Sequence, residues 1–338
     1  MDVQRLETLP PPPSVIASLQ AGFSIVSSRI ALISLPLVLD VLLWLGPRLS
    51  VGKWYEALFN SSLSLLRQNG FPAQELAMYT ENAPLIVGYF DRLNWLVWLR
   101  TLPIGIPALM LGVPESVPVQ TPVGLQAVIQ LPSFLLVLGT FLLLTFIGWL
   151  GGGLYFRIVA GASLGEKEAS IGIMRAFVQT TLLSIIWLIG SVILFTPILL
   201  LVMFLTAINA LLAQAVFFII LFFLFWLVVP LFFMPHGIFV RRQNAFLSML
   251  SSLRMSRFTL PTSSMFVLSV FLLSRGLSYL WLVPSSDSWL MLIGIAGHAF
   301  ISTALLSASF VYYRDMNTWI QHALELLHQK QSTPTQQA

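Results

Sequence analysis

Apolar residues run along this chain in long unbroken blocks, and the blocks themselves predict its elements. A helix that crosses ~30 Å of hydrocarbon needs about 20 apolar residues at 1.5 Å rise each. Six stretches qualify: Phe23–Leu45, Ser133–Phe156, Gln179–Leu205, Leu211–Met234, Ser263–Val283 and Trp289–Tyr312. The third and fourth stand out, because Arg175 and Arg241 bracket 65 residues with no Lys, Arg, Asp or Glu. As helix that gap is ~98 Å long, enough for two passes, and Thr206 to Asn209 supplies the polar turn between them.

Between the blocks the pattern turns amphipathic. Short stretches at Ser14–Leu19, Ser170–Phe177 and Ala245–Leu250 each precede a pair of spans. They predict elbow helices at the membrane surface, read either as ordinary span entries or as three copies of an elbow-and-hairpin unit. Gly46–Pro132 is an 87-residue segment outside the spans. Trp54–Phe59 and Asn94–Arg100 interleave aromatics with single charges, a pattern suited to the headgroup level. Leu102–Val113 is apolar but carries Pro103 and Pro107; it either dips into the membrane or packs on the bundle.

Composition removes the soluble alternative. Hydrophobic residues make up 57% of the 338 and charged residues 9%, against roughly 25% charged in a soluble protein. The fold class is therefore an all-α integral membrane protein of six transmembrane helices with amphipathic interfacial elbows. Its organisation is an N-terminal segment 1–22, a first span 23–45, the segment 46–132, a five-helix region 133–312 and a tail 313–338.

Charge orients it. Arg157, Lys167 and Arg175 follow the second span, and Arg241, Arg242, Arg254 and Arg257 follow the fourth, whereas the links after the third and fifth hold no basic residue. The positive-inside rule then predicts both termini in the cytoplasm. The net charge of +4 belongs to these edges, and no basic groove with interleaved aromatics suggests nucleic acid. The chain has no cysteine, which excludes disulfides, thiolate metal sites and a cysteine nucleophile. Asp2 and Glu7 outweigh Arg5, and Gly46-Pro47-Arg48 replaces a small-residue cleavage site, so the first block reads as a retained span.

The basic Arg241-Arg242-Gln243-Asn244-Ala245-Phe246, the Ser251-Ser252-Leu253-Arg254 turn and the closing Phe310-Val311-Tyr312-Tyr313-Arg314-Asp315 resemble a group of uncharacterised bacterial six-span proteins. The layout is also similar to the membrane domain attached to some glycerophosphodiester phosphodiesterases. The resemblance covers about residues 132–315. It implies a bacterial inner-membrane protein and a membrane-domain fold without the phosphodiesterase activity, since the soluble catalytic domain is missing.

Four ionisable residues fall inside the predicted spans: Arg29, Asp40, Arg275 and His298. Such groups cost a few kcal/mol each unless paired or watered. Arg29 and Asp40 lie about 16 Å apart along one helix, too far to pair. The sharp expectation is therefore a buried Asp40–Arg275 salt bridge with His298 beside it, facing a polar cavity. The bland one puts Asp40 at the headgroups and leaves Arg275 on backbone carbonyls. Pro36 could kink the first span. Gly148 and Gly152 carry the spacing of close helix packing, and Gly297, Ala304 and Ala308 form a small face on the sixth span. His236 reads as an interface residue, and His322 and His328 are too few for a metal site. No serine has a legible His/Asp set, and no cofactor is expected. The sequence favours a non-catalytic protein that organises membrane lipids or other membrane proteins. A transporter or channel would need the polar cluster on a cavity, and a membrane-embedded lipid enzyme would need carboxylates or histidines clustered at the headgroups.

Overall fold

A computed structural model describes residues 11–112, 114, 117–165 and 171–332. Lys167 and Glu115 lie outside them. The chain forms an all-α membrane bundle. Among the described residues five helices are long and apolar enough to cross a bilayer, or six when a bent pair is counted as one span. The five are α5 (Phe134–Leu164), α6 (Ile173–Ile208), α7 (Ala210–Phe233), which continues into the short α8 (His236–Val240), α9 (Ala245–Trp281) and α10 (Met291–Ser332). Asn209 breaks the long apolar run, and its side chain accepts from the amides of Leu211 and Leu212 to start α7, an N-cap of the usual kind.

The first predicted span is not one helix. It divides into α1 (Val15–Ser28) and α2 (Ser34–Leu45), bent by 97°. The cause is local. Ser27 and Ser28 hydroxyls donate back to the carbonyls of Phe23 and Ile25, which competes with helix continuation, and Arg29 leaves helical geometry at φ −135°, ψ 63°. A single 3-10 turn, Ile30–Ile33, then leads into α2. Pro36 falls in the first turn of α2, where its missing N–H costs nothing; it helps start this helix and does not kink a span. α1 lies lengthwise on α10. Its Phe23 ring is 6.0 Å from that of Phe300, Val15 and Leu19 join the cluster around Tyr312 and Met316, and a side chain at Gly22 would strike the Ala304 carbonyl at 2.4 Å. The small face on the sixth span is thus divided: Ala304 and Ala308 receive α1, and Gly297 receives the Trp281 ring at the end of the fifth span.

α9 also contains a break, at Thr259 (φ −122°, ψ 19°), ahead of Pro261. It separates the elbow from the span that follows, whereas the break at Arg29 leaves α1 lying along α10. α6 has no such break, so of the three predicted elbows the one at Ala245 is set off from its span. Arg175 donates to the carbonyl of Arg242 at 2.7 Å, which brings both basic connections to one end of the bundle, here termed the elbow end.

The opposite end carries a cap built from residues 46–132. Strands β1 (Arg48–Ser50) and β4 (Val128–Gln130) pair in parallel, and between them come helices α3 (Gly52–Gln68) and α4 (Ala73–Arg92), the 3-10 turn Trp95–Leu99 and a tiny hairpin of β2 (Gln120–Thr121) and β3 (Gly124–Leu125). The buried Gln126 amide donates to the carbonyls of Leu43, Trp44 and Gly46, closing the exposed end of α2. Burial pushes the Arg48 guanidinium below its usual range, with Asp91 opposing the shift. α3 begins where Trp54 predicted a helix, but α4 is longer than any pattern in its sequence suggested. Both helices keep apolar residues such as Leu65, Tyr79 and Leu85 exposed.

Candidate functional site

The stretch between Leu99 and Leu111 leaves the cap and descends into the bundle. α5 makes room for it with glycine. A Cβ on Gly148 would meet the Leu99 carbonyl oxygen at 2.6 Å, and one on Gly152 would meet the Gly105 Cα at 2.8 Å. The paired glycines therefore admit an irregular backbone and not a neighbouring helix; Gly153, against Thr180 of α6, is the helix-packing position. At the tip, Ile104 is fully buried within the core cluster that includes Tyr155, Phe156 and Val159. The described residues of Leu102–Val113 thus pack into the bundle, where backbone groups can be satisfied away from lipid.

On its return the loop is held by Asp40. The carboxylate is fully buried, and its two oxygens accept from the amides of Leu109 and Met110, each at 2.9 Å. His298 Nδ1 lies 3.4 Å from the same carboxylate. The expected Asp40–Arg275 salt bridge does not form. Arg275 projects to the exposed side of α9, and among the described residues no carboxylate lies within 4 Å of it. Two backbone N–H groups in fixed positions satisfy a carboxylate as well as a guanidinium does, and sequence alone does not say where a loop 70 residues away will return. Counting along the sequence places Arg275 and His298 near mid-membrane and Asp40 nearer the outer surface; all three sit within roughly two turns of the cap end of their helices.

The loop roofs a cavity of about 460 Å³, within the ~300–1,000 Å³ usual for small-molecule sites. Its walls are mainly apolar: Ile106, Trp187, Leu231, Phe232, Val270 and Leu306 from the loop, α6, α7, α9 and α10. Leu102 and Val228 line it and are also 64% and 44% exposed on the outside of the bundle. The cavity therefore opens sideways, among the apolar faces that α6 and α7 turn outward.

Arg100 also lines the cavity and is exposed. It lies within electrostatic reach of Arg275, which repels it, and of Asp40, which attracts it. Asp40 is already committed to two amides and to His298. The opening thus carries the Arg100 guanidinium, with Arg275 outside the lining but within electrostatic reach of it, and among the described residues no carboxylate lies within 4 Å of either. Sequence reasoning missed Arg100, which it placed in a surface helix. The available signal was its position immediately before the proline-containing apolar run.

The floor is polar and tightly bonded. Tyr155 shares a 2.9 Å hydrogen bond with Thr303, and His236 Nε2 lies 2.7 Å from Ser309 Oγ. His236 is 2% exposed, so it is a core residue and not an interface one. A histidine beside a serine can mark a base and nucleophile, but the Ser309 hydroxyl donates to the Leu306 carbonyl at 2.7 Å. The direction of the His236–Ser309 bond depends on the imidazole tautomer, so the pair by itself assigns no base and nucleophile.

Searches against family models, curated proteins and solved structures found no match to this chain.

Proposed function

We propose that this membrane protein is a non-catalytic lipid-handling protein whose cavity holds the chain of an anionic amphiphile, with the acidic head at Arg100 and Arg275. The observation that carries this reading is the division of the cavity into an apolar interior that opens sideways and a mouth bearing the Arg100 guanidinium, which among the described residues has no carboxylate within 4 Å and has Arg275 within electrostatic reach. Arginine suits carboxylate and phosphate heads because its planar fork donates in pairs, and a guanidinium facing hydrocarbon gains most from a bound anion. Asp40 and His298 are absent from the cavity lining; their part is to hold the roof. A transporter reading that needs those residues on a polar pathway is weaker for that reason.

The test is binding of an anionic long-chain amphiphile to the purified chain in neutral detergent. R100Q should weaken it about tenfold, and R100Q/R275Q further, for loss of charge-assisted bonds worth ~1.5–3 kcal/mol each. A zwitterionic amphiphile of the same length should be indifferent to both. Unchanged affinity in the double variant would remove the basis of the proposal.

We infer further that the elbow end faces the cytoplasm, supported by its clustered Arg157, Arg175, Arg241 and Arg242 and the short-loop charge rule. Because the chain lacks cysteine, a single introduced thiol reports its side cleanly. In intact cells an impermeant maleimide should label T80C and leave S251C unlabelled; the reverse pattern would invert the topology.

A further inference from the structure

A second cavity, of about 340 Å³, lies at the elbow end between the first turns of α9 and the part of α10 that continues beyond Tyr313. Its lining divides by chemistry. Arg241 and Arg254 contribute guanidinium groups, Gln321 contributes a neutral amide, and Leu247 and Phe258 form an apolar rim, while the Ser251 hydroxyl in the wall already donates to the Gln243 side-chain oxygen at 2.7 Å. Among the described residues the Arg241 guanidinium makes a long 3.4 Å contact to the Asn317 amide oxygen. Among the described residues neither arginine has a carboxylate within 4 Å; the nearby Asp315 is taken by Arg314 at 2.8 Å.

The break at Thr259 sets the surroundings. It turns residues 245–258 into a separate elbow, on which Phe246, Leu247 and Phe258 are 56%, 50% and 67% exposed. That apolar surface is continuous with the cavity rim and sits at the end of the spans, where headgroups meet hydrocarbon. A soluble anion would use the two arginines but leave this rim facing water.

We propose that this cavity is a headgroup site for an anionic phospholipid of the adjoining leaflet, its phosphate held between Arg241 and Arg254 and its chains lying over Leu247 and Phe258. The net charge of the lipid follows from the same residues. Both arginines remain charged at any ordinary pH, and a choline or ethanolamine ammonium would enter a cavity whose charges are all positive. Basic pockets between helices at the cytoplasmic surface are a recurrent way to select acidic lipids. This site stands apart from the larger cavity in residues and position, so neither proposal depends on the other.

The experiment uses the full chain in vesicles and reads the motionally restricted fraction of spin-labelled phosphatidylglycerol and spin-labelled phosphatidylcholine. The wild type should retain the anionic lipid about tenfold more strongly, and R241Q/R254Q should abolish most of that preference. R241K/R254K, which keeps both charges, should retain most of it and so separates loss of charge from loss of fold. The same comparison made in an R100Q background removes the contribution of the larger cavity, and the part of the preference that depends on Arg241 and Arg254 should persist there, which keeps failure here distinct from failure of the larger cavity. Equal retention of the two lipids, a preference that survives R241Q/R254Q, or one lost equally in R241K/R254K would overturn the proposal. So would complete displacement of the labelled lipid by inorganic phosphate, which would assign the cavity to a free anion.

Discussion

Replacement of Asp40 by alanine is expected to release the buried loop. The carboxylate is fully buried and is the acceptor for two amides, and an orphaned buried N–H costs ~1–3 kcal/mol. Together with the loss of the His298 contact, the variant should be destabilised by about 3–5 kcal/mol, as when one partner of a buried charged network is removed. Asp40→Asn keeps one carbonyl oxygen and should lose roughly half as much. Arg275→Leu should be close to neutral for stability, since its side chain is exposed and makes no bond to Asp40. Adding it to Asp40→Leu should therefore rescue nothing, contrary to what a direct Asp40–Arg275 pair would give. Unfolding in detergent measures the losses, and maleimide access to a thiol at Ile104, fully buried in the wild type, reports whether the loop has left.

Gly152→Val should evict the same loop from the other side. The new Cβ would lie 2.8 Å from Gly105 Cα and 3.0 Å from the Ile104 carbonyl oxygen. All its neighbours are backbone, so no rotamer change relieves the clash, and either α5 or the loop must shift. Overpacking of this kind costs ~1–3 kcal/mol or more. Gly139→Ala and Gly190→Ala are the controls. Both glycines lie within helices with nothing within 4 Å of a built Cβ, so alanine should be neutral or stabilising by up to ~1 kcal/mol. If Gly152→Val left the Ile104 thiol as protected as in the wild type, the loop would not depend on this glycine face.

The spans were legible in the sequence because a bilayer imposes a single requirement, length of apolar run, that each segment meets by itself. The polar turn at Asn209 and the elbow at Ala245 were legible for the same reason: each depends on neighbours in sequence. The break at Arg29 was not read, although its components, two serines and an arginine inside an apolar block, were present. Hydropathy averages over them, while back-bonding by Ser27 and Ser28 acts within one turn. The polar core was half legible. A buried Asp40 needed a partner, and His298 was identified, but the principal partners are the amides of Leu109 and Met110, and a backbone donor has no signature in composition. Arg100 escaped for a related reason: its environment is set by a loop whose path is fixed by glycines on a helix it does not belong to.

What enters the larger cavity decides the proposed function. An anionic amphiphile carrying a photoactivatable diazirine near the end of its chain, cross-linked to the purified protein in bilayers, tests this most directly. The labels should map to Trp187, Phe232 and Leu306 in the cavity wall, and R100Q should reduce those adducts about tenfold while leaving labels on outward residues such as Phe195 and Phe218 unchanged. Adducts confined to those outward faces, or cavity adducts indifferent to Arg100, would contradict the assignment of the cavity to an anionic lipid chain.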